Sequence, residues 1–188
     1  VIAGWLWLER NASLEHALRL AAFNIVSIIT GTGYATDDFS QWGHFALPIF
    51  FFIMFVGGCA GSTTCGIKIF RFQVIYAAAR TQFQSLAQPH GVFIPYYNRN
   101  PIPDEVTNSV MSFFFIFGAT FAVLAILLAM LGLDFLTSVS AAASAIANVG
   151  PGLGPVVGPE GSYTSLPVAA KWILSAGMLL GRLELFTV

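Results

Sequence analysis

The chain has 188 residues, of which 56% are hydrophobic and only 9% charged, with a mean hydropathy of +0.77. Soluble domains carry roughly a quarter charged residues, so this is the composition of a membrane protein. The formal net charge of −1 lacks the basic excess that a phosphate-binding surface needs, and no nucleic-acid partner is expected.

The chain begins at Val1 inside one apolar run and stops inside another, with no signal peptide visible. It therefore reads as part of a longer protein. Residues 1–8 read as the end of a span, with Trp5 and Trp7 suited to an interfacial belt. Ser13 is placed to cap a helix whose apolar positions Leu14, Ala17, Leu18, Ala21, Ile25 and Ile28 recur at helical spacing. Some sixteen residues reach only about 24 Å, short of a hydrocarbon core of about 30 Å, so this helix is re-entrant or interfacial. A loop at Thr30–Tyr34 and the polar Thr36-Asp37-Asp38 follow. An apolar run from Gly43 to Gly61 is then long enough to span.

Between Gly57 and Gly66 lie four glycines, one serine and two threonines. Each glycine costs a helix about 1 kcal/mol relative to alanine. Small residues of this kind permit close helix packing. The alternative is a broken helix or loop at membrane depth, tolerated only where it lines a cavity or is buried in protein, and the glycine density favours it. Cys59 and Cys65 in this stretch lack further ligands and read as two small buried residues.

From Ile67 to about Val106 a more polar segment carries Lys68, Arg71, Arg80 and Arg99 against Asp104 and Glu105. The positive-inside rule places this connection in the cytoplasm, and its Pro-rich piece from Gln88 to Pro103 cannot be regular helix throughout. Val106–Leu133 reads as a span. Asp134 is placed to cap a short Ala/Ser-rich helix to about Ala147, followed by a second loop, Asn148-Val149-Gly150-Pro151-Gly152. A polar turn with Glu160 and a span from about Leu166 complete the chain.

The loops Thr30-Gly31-Thr32-Gly33-Tyr34 and Asn148–Gly152 both resemble the Thr-Val-Gly-Tyr-Gly filter of potassium channels, whose backbone carbonyls replace an ion's hydration shell. Gly33 and Gly150 stand 117 positions apart. Pro48 lies 15 residues after Gly33 and Pro167 lies 17 after Gly150, while Gly61 and Gly181 follow those prolines by 13 and 14. This is a duplication signal, and the unit reads span, pore helix, filter, span. Counting spans from the cytoplasmic Lys68–Arg99 segment puts both filters near the outer face. A pore helix aimed at the axis offers about half a negative charge to a cation at its C-terminus. Asp37 and Asp38 read either as cation-concentrating acids at an outer mouth or as two solvated loop residues. Arg182, in an apolar helix, should face protein or water. It reads as a pore-facing charge or an interfacial anchor, and Glu184, two residues on, points elsewhere on a helix.

On these segments, together with Ala21-Ala22-Phe23, Gly66-Ile67-Lys68, Asp104-Glu105-Val106, Leu153-Gly154 and Gly181-Arg182-Leu183-Glu184, nearly the whole chain resembles the membrane subunit of bacterial Trk-type potassium uptake systems, within the Trk/Ktr/HKT superfamily. The resemblance implies an all-α membrane protein of span–pore helix–filter loop–span units, two of the four that surround one pore. Residues 1–87 would form the third repeat, 88–105 a cytoplasmic connection and 106–188 the fourth repeat. It implies potassium uptake across the bacterial inner membrane, with the ion as substrate, no cofactor in this chain and no enzymatic chemistry. Filter positions would be Thr30, Gly31, Thr32, Gly33, Tyr34, Asn148, Val149, Gly150 and Pro151, with potassium at Thr32, Gly33, Val149 and Gly150. Gly57, Gly58, Gly61, Ser62 and Gly66 would form an intramembrane loop obstructing the pore, with Arg182 beside it. Implied partners are the first two repeats of the same polypeptide, a second copy in a homodimer, and a cytosolic nucleotide-binding ring (TrkA-like). A sodium-permeable or mixed transporter keeps the same architecture. An embedded enzyme using Ser62, Thr63, Cys65 or His44 is disfavoured, because His16, His44 and His90 lie in separate segments.

Overall fold

The computed structural model describes residues 2–9, 13–88 and 91–183, and they form helices joined by tight loops. Helix α1 (Ile2–Glu9) packs on α2 (Leu14–Ile29), whose first turn is capped by Ser13 through a bond from the His16 N–H at 3.3 Å. The buried stripe of α2 is Ala17, Ala21, Asn24, Ser27 and Ile28, whereas Leu14 and Leu18 point outward. The inward face thus combines small or apolar residues with two polar groups, Asn24 and Ser27, that hold the following loop.

Helix α3 (Ala46–Phe55) has ten residues, about 15 Å, and stops well short of Gly61. The run from Gly43 to Gly61 is therefore no continuous span. Val56 instead pairs with Ile67 in a parallel bridge, and α4 (Ile69–Ala87) resumes beyond an excursion at 57–66. Helix α4 occupies the first half of the more polar segment expected from Ile67 onward. Its Arg71 is buried, with its guanidinium 3.9 Å from the Phe113 ring centroid and 5.2 Å from that of Phe70. Aromatic faces there take the place of water. Between Ala87 and Asp104 the described residues are irregular except for a small hairpin, β1 (Tyr96–Tyr97) against β2 (Asn100–Pro101), turned by Asn98 and Arg99 at positive φ.

Helix α5 (Asp104–Met130), about 40 Å long, is the one helix among the described residues long and apolar enough by itself to cross a membrane. It exposes Phe115, Ile126 and Met130 on one side and buries Phe113, Phe117, Leu124 and Leu128 on the other. Helix α6 (Phe135–Ala147) is buried from Thr137 to Ala147 except at the half-buried Val139, and its N-cap Asp134 accepts the Thr137 N–H at 3.1 Å. Small residues let α3, α5 and α8 (Val168–Arg182) all pack against it. Between them, α7 (Gly154–Val157) and a 3-10 turn at Tyr163–Ser165 shape the intervening loop. The 15 described residues of α8 reach about 22 Å, and residues 184–188, into which the span expected from Leu166 would continue, lie outside the described residues.

One core joins α1, α2 and α3 to the end of α6. There Phe39 and Phe50 stack at 4.3 Å between centroids, and Trp42 meets Phe50 edge-on. A second core fills the space between α5, α6 and α8. Aromatic pairs of this kind add about 0.5–1.5 kcal/mol beyond burial and fix α2 and α6, the two helices that lead into the glycine loops.

Candidate functional site: two converging glycine loops

Helices α2 and α6 end at Ile29 and Ala147, and each passes straight into a glycine loop. Asn148 caps α6 in the left-handed conformation (φ 52°), and its side-chain amide donates to the Met178 carbonyl at 3.0 Å, tying pore helix to α8. Gly31, Gly33 and Gly150 have φ of 68°, 76° and 114°, a region closed to most side chains.

The loops lie against each other in the register set by the 117-residue offset. A Cβ on Gly33 would run into the Val149 carbonyl oxygen and come within 3.2 Å of Pro151 Cδ. A Cβ on Gly31 would lie 3.6 Å from the Asn148 carbonyl oxygen, and one on Gly150 would lie 3.7 Å from Gly33 Cα.

The N–H groups of both loops are turned to α2 and α6. Thr32 and Gly33 donate to the Ser27 carbonyl at 3.0 and 3.3 Å, and Val149 donates to the Ser144 carbonyl at 3.1 Å. Among the described residues no donor reaches the carbonyls of Gly31, Thr32, Gly33, Asn148 or Val149. Unbonded carbonyls at a crowded backbone contact are acceptors for a dehydrated cation.

Sequence reading missed the side chains that hold this arrangement. Ser27 Oγ donates to the Tyr34 carbonyl at 2.6 Å, and Ser144 Oγ donates to that of Gly150 at 2.8 Å. These serines are themselves 117 positions apart, so the offset that pairs the glycines would have found them. A second tier sits further along each loop. Asn24, fully buried, binds Thr36 through its hydroxyl at 3.0 Å and its N–H at 3.2 Å, while Ser140 Oγ donates to the Leu153 carbonyl at 3.2 Å. Tyr163 Oη also donates to the Gly150 carbonyl, at 2.9 Å. Burial raises the Tyr163 phenol above its ordinary range, so its hydroxyl remains a donor.

The excursion at 57–66 is closed at its neck. The Gly57 N–H donates to the Ile67 carbonyl and the Ile67 N–H to that of Phe55, both at 2.9 Å, and Ile69 reaches the Gly58 carbonyl at 3.2 Å. A Cβ on Gly57 would come within 2.5 Å of the Cys65 carbonyl oxygen, and Gly66 turns at φ 85°. Gly61 forms the open tip (φ 83°), where the Ser62 N–H donates to the Cys59 carbonyl at 3.1 Å. The loop passes beside the Thr30–Tyr34 loop, with Thr64 Cγ2 3.9 Å from where a Gly31 Cβ would sit. Cys59 is exposed and Cys65 partly so, both as free thiols. The expectation of two buried residues fails because the segment leaves the helix packing altogether.

Arg182 reaches this loop. Its Nη1 donates to the Thr63 carbonyl at 2.7 Å and lies 3.3 Å from Cys65 Sγ. Gly181 makes the approach possible, since a Cβ there would run into the Ile146 carbonyl. Glu184 and His90 lie outside the described residues.

Other sequence candidates separate from the site. Asp37 accepts the Trp42 indole N–H at 2.7 Å and the Asp38 N–H at 3.0 Å, while Asp38 accepts from Ser40 N and Gln41 Nε2. Both acids thus organise a turn and are not simply solvated. His16 and His44 are exposed, and the group brought to Cys65 is a guanidinium and no imidazole. Among the described residues no cluster of His, Cys, Asp and Glu is placed to hold a metal.

Glycine loops suspended from helices and meeting backbone to backbone in a mostly helical, apolar fold are the architecture of a membrane transport protein. The chain belongs to the TrkH cation transport protein family, whose sequence model matches residues 10–188. It is 53% identical over its full length to the Trk system potassium uptake protein TrkI of Halomonas elongata. It is 33% identical over 97% of its length to the Trk system potassium uptake protein TrkH of Escherichia coli K12. The crystal structure of the potassium transporter TrkH from Vibrio parahaemolyticus superposes with a TM-score of 0.90 over 99% of the chain at 32% identity. The chain spans 38% of the length of each of those curated relatives and 39% of the crystallised one.

Proposed function

We propose that this chain supplies the third and fourth quarters of a four-repeat pore through which potassium enters a bacterial cell across its inner membrane. The reading is carried by one observation: two loops in 117-residue register turn their N–H groups to α2 and α6, and among the described residues no donor reaches the carbonyls of Gly31, Thr32, Gly33, Asn148 and Val149. The relatives' names, potassium uptake proteins, support the choice of ion. Selectivity resides in the carbonyl rings at Thr32, Gly33 and Val149, without covalent chemistry or a cofactor. The Gly57–Gly66 loop, with Gly58 and Ser62 inside it, obstructs the path next to the filter. Arg182 holds it there through the Thr63 carbonyl. By resemblance the first two repeats complete the ring, two pores pair as a homodimer, and a cytosolic nucleotide-binding ring regulates them, with the filters near the outer face.

Gly33→Ser and Gly150→Ser in the full-length protein test the reading. Each adds a Cβ at positive φ, in contact with the other loop's backbone. The ratio of rubidium to sodium uptake should fall in both. Unchanged ratios in both variants would reject the filter assignment.

A further inference from the structure

Gly33 and Gly150 occupy corresponding positions, yet their carbonyls are treated differently. A carbonyl oxygen has two lone pairs. That of Gly150 accepts from Ser144 Oγ at 2.8 Å and from Tyr163 Oη at 2.9 Å, so both are engaged. Among the described residues nothing donates to the Gly33 carbonyl, because Ser27, the counterpart of Ser144, donates to Tyr34 one residue later. Since Pro151 has no N–H, the Gly150–Pro151 peptide has no other hydrogen-bonding group, and fixing its carbonyl fixes the peptide plane.

Both donors are held from behind. Ser144 is fully buried on α6 and also accepts the Gly150 N–H at 3.2 Å. Tyr163 begins a 3-10 turn capped by Ser162, and Lys171 Nζ braces the same turn through the Thr164 carbonyl at 2.8 Å. The third repeat has no such tyrosine on its glycine loop among the described residues.

We propose that Tyr163 is a specificity-determining residue of the fourth repeat: with Ser144 it withdraws the Gly150 carbonyl from the ion path. The fourth loop then offers coordinating carbonyls only as far as Val149, while the third continues to Gly33. The ring at the Gly33–Gly150 level is asymmetric, with one strong dipole fewer. Releasing that carbonyl loosens the loop, and a ring free to contract around the smaller ion favours sodium relative to potassium. This inference rests on the potassium-filter reading.

The test is Tyr163→Phe in the full-length protein reconstituted in liposomes, with rubidium and sodium uptake measured on the same preparation. The ring is kept and the hydroxyl lost, so yield and melting temperature should stay at wild-type values while the rubidium-to-sodium ratio falls about fivefold, the factor one net hydrogen bond represents. Ser144→Ala removes the other donor and should lower the ratio likewise. It decides the matter if Tyr163→Phe does not fold. Gly33→Ser run in parallel separates the two levels. A lowered ratio in Gly33→Ser with wild-type ratios in Tyr163→Phe and Ser144→Ala overturns the clamp and leaves the filter standing. Wild-type ratios in all three overturn both.

Discussion

Gly181 and Gly177 lie one turn apart on α8, and the structure assigns opposite outcomes to their replacement by alanine. A methyl group at 181 would enter the Ile146 carbonyl of the pore helix, with Asn148 Nδ2 2.9 Å away. Neither backbone nor capping side chain can yield without disturbing the C-terminus of α6. At 177 the nearest atom is Leu124 Cδ1 at 2.8 Å, the far end of a side chain that can rotate. Overpacking against a rigid wall costs about 1–3 kcal/mol, and glycine to alanine within a helix returns about 1 kcal/mol. Gly181→Ala should therefore be net destabilising by about 1 kcal/mol and up to about 2 kcal/mol against so rigid a wall, whereas Gly177→Ala should be neutral or slightly stabilising. Displacing α8 at 181 also pulls Arg182 from the Thr63 carbonyl, so Gly181→Ala should raise basal rubidium flux. Melting curves of the purified full-length variants and flux at matched protein amounts measure both effects. If Gly181→Ala melts and conducts like wild type, or Gly177→Ala is the worse of the two, the close approach of α8 to the pore helix is wrong.

Two further outcomes concern the obstructing loop. Arg182→Ala should increase flux and leave ion preference intact, because the carbonyls that discriminate belong to the glycine loops. Arg182→Lys keeps the charge but loses the forked donor set, so flux near the alanine value assigns the effect to the Thr63 and Cys65 contacts, and flux near wild type assigns it to charge. Deleting Ala60–Thr63 should likewise raise basal flux at unchanged rubidium-to-sodium ratio, whereas a helix-packing role for the glycines predicts less protein in the membrane and lower flux.

Local rules made much of this fold readable. Asp134 caps α6 as its position indicated, Ala147 ends that helix, and the density of glycine between 57 and 66 marked a break that the Val56–Ile67 bridge closes. The glycine loops were legible because a positive φ leaves a compositional trace, and their 117-residue offset because the duplication kept it. What stayed hidden depends on tertiary context. Ser27, Ser144 and Asn24 are buried and hold the loops, a role that no local pattern around them discloses. Arg71 read as a cytoplasmic charge, since nothing local discloses that Phe113 will cover it from another helix. Tyr163 lies 13 residues beyond Gly150 in a polar turn, and only the folded chain returns its hydroxyl to that carbonyl.

The central claim is that a dehydrated cation sits between these two loops. Crystals of the full-length protein grown in rubidium or thallium salts and measured at the absorption edge of the ion would show it directly. The expected result is anomalous density on the pore axis, level with the carbonyls of Thr32 and Val149 and reduced in Gly150→Ser. Density found only at carboxylates such as Asp37 or Asp38, with none between the glycine loops, would contradict it.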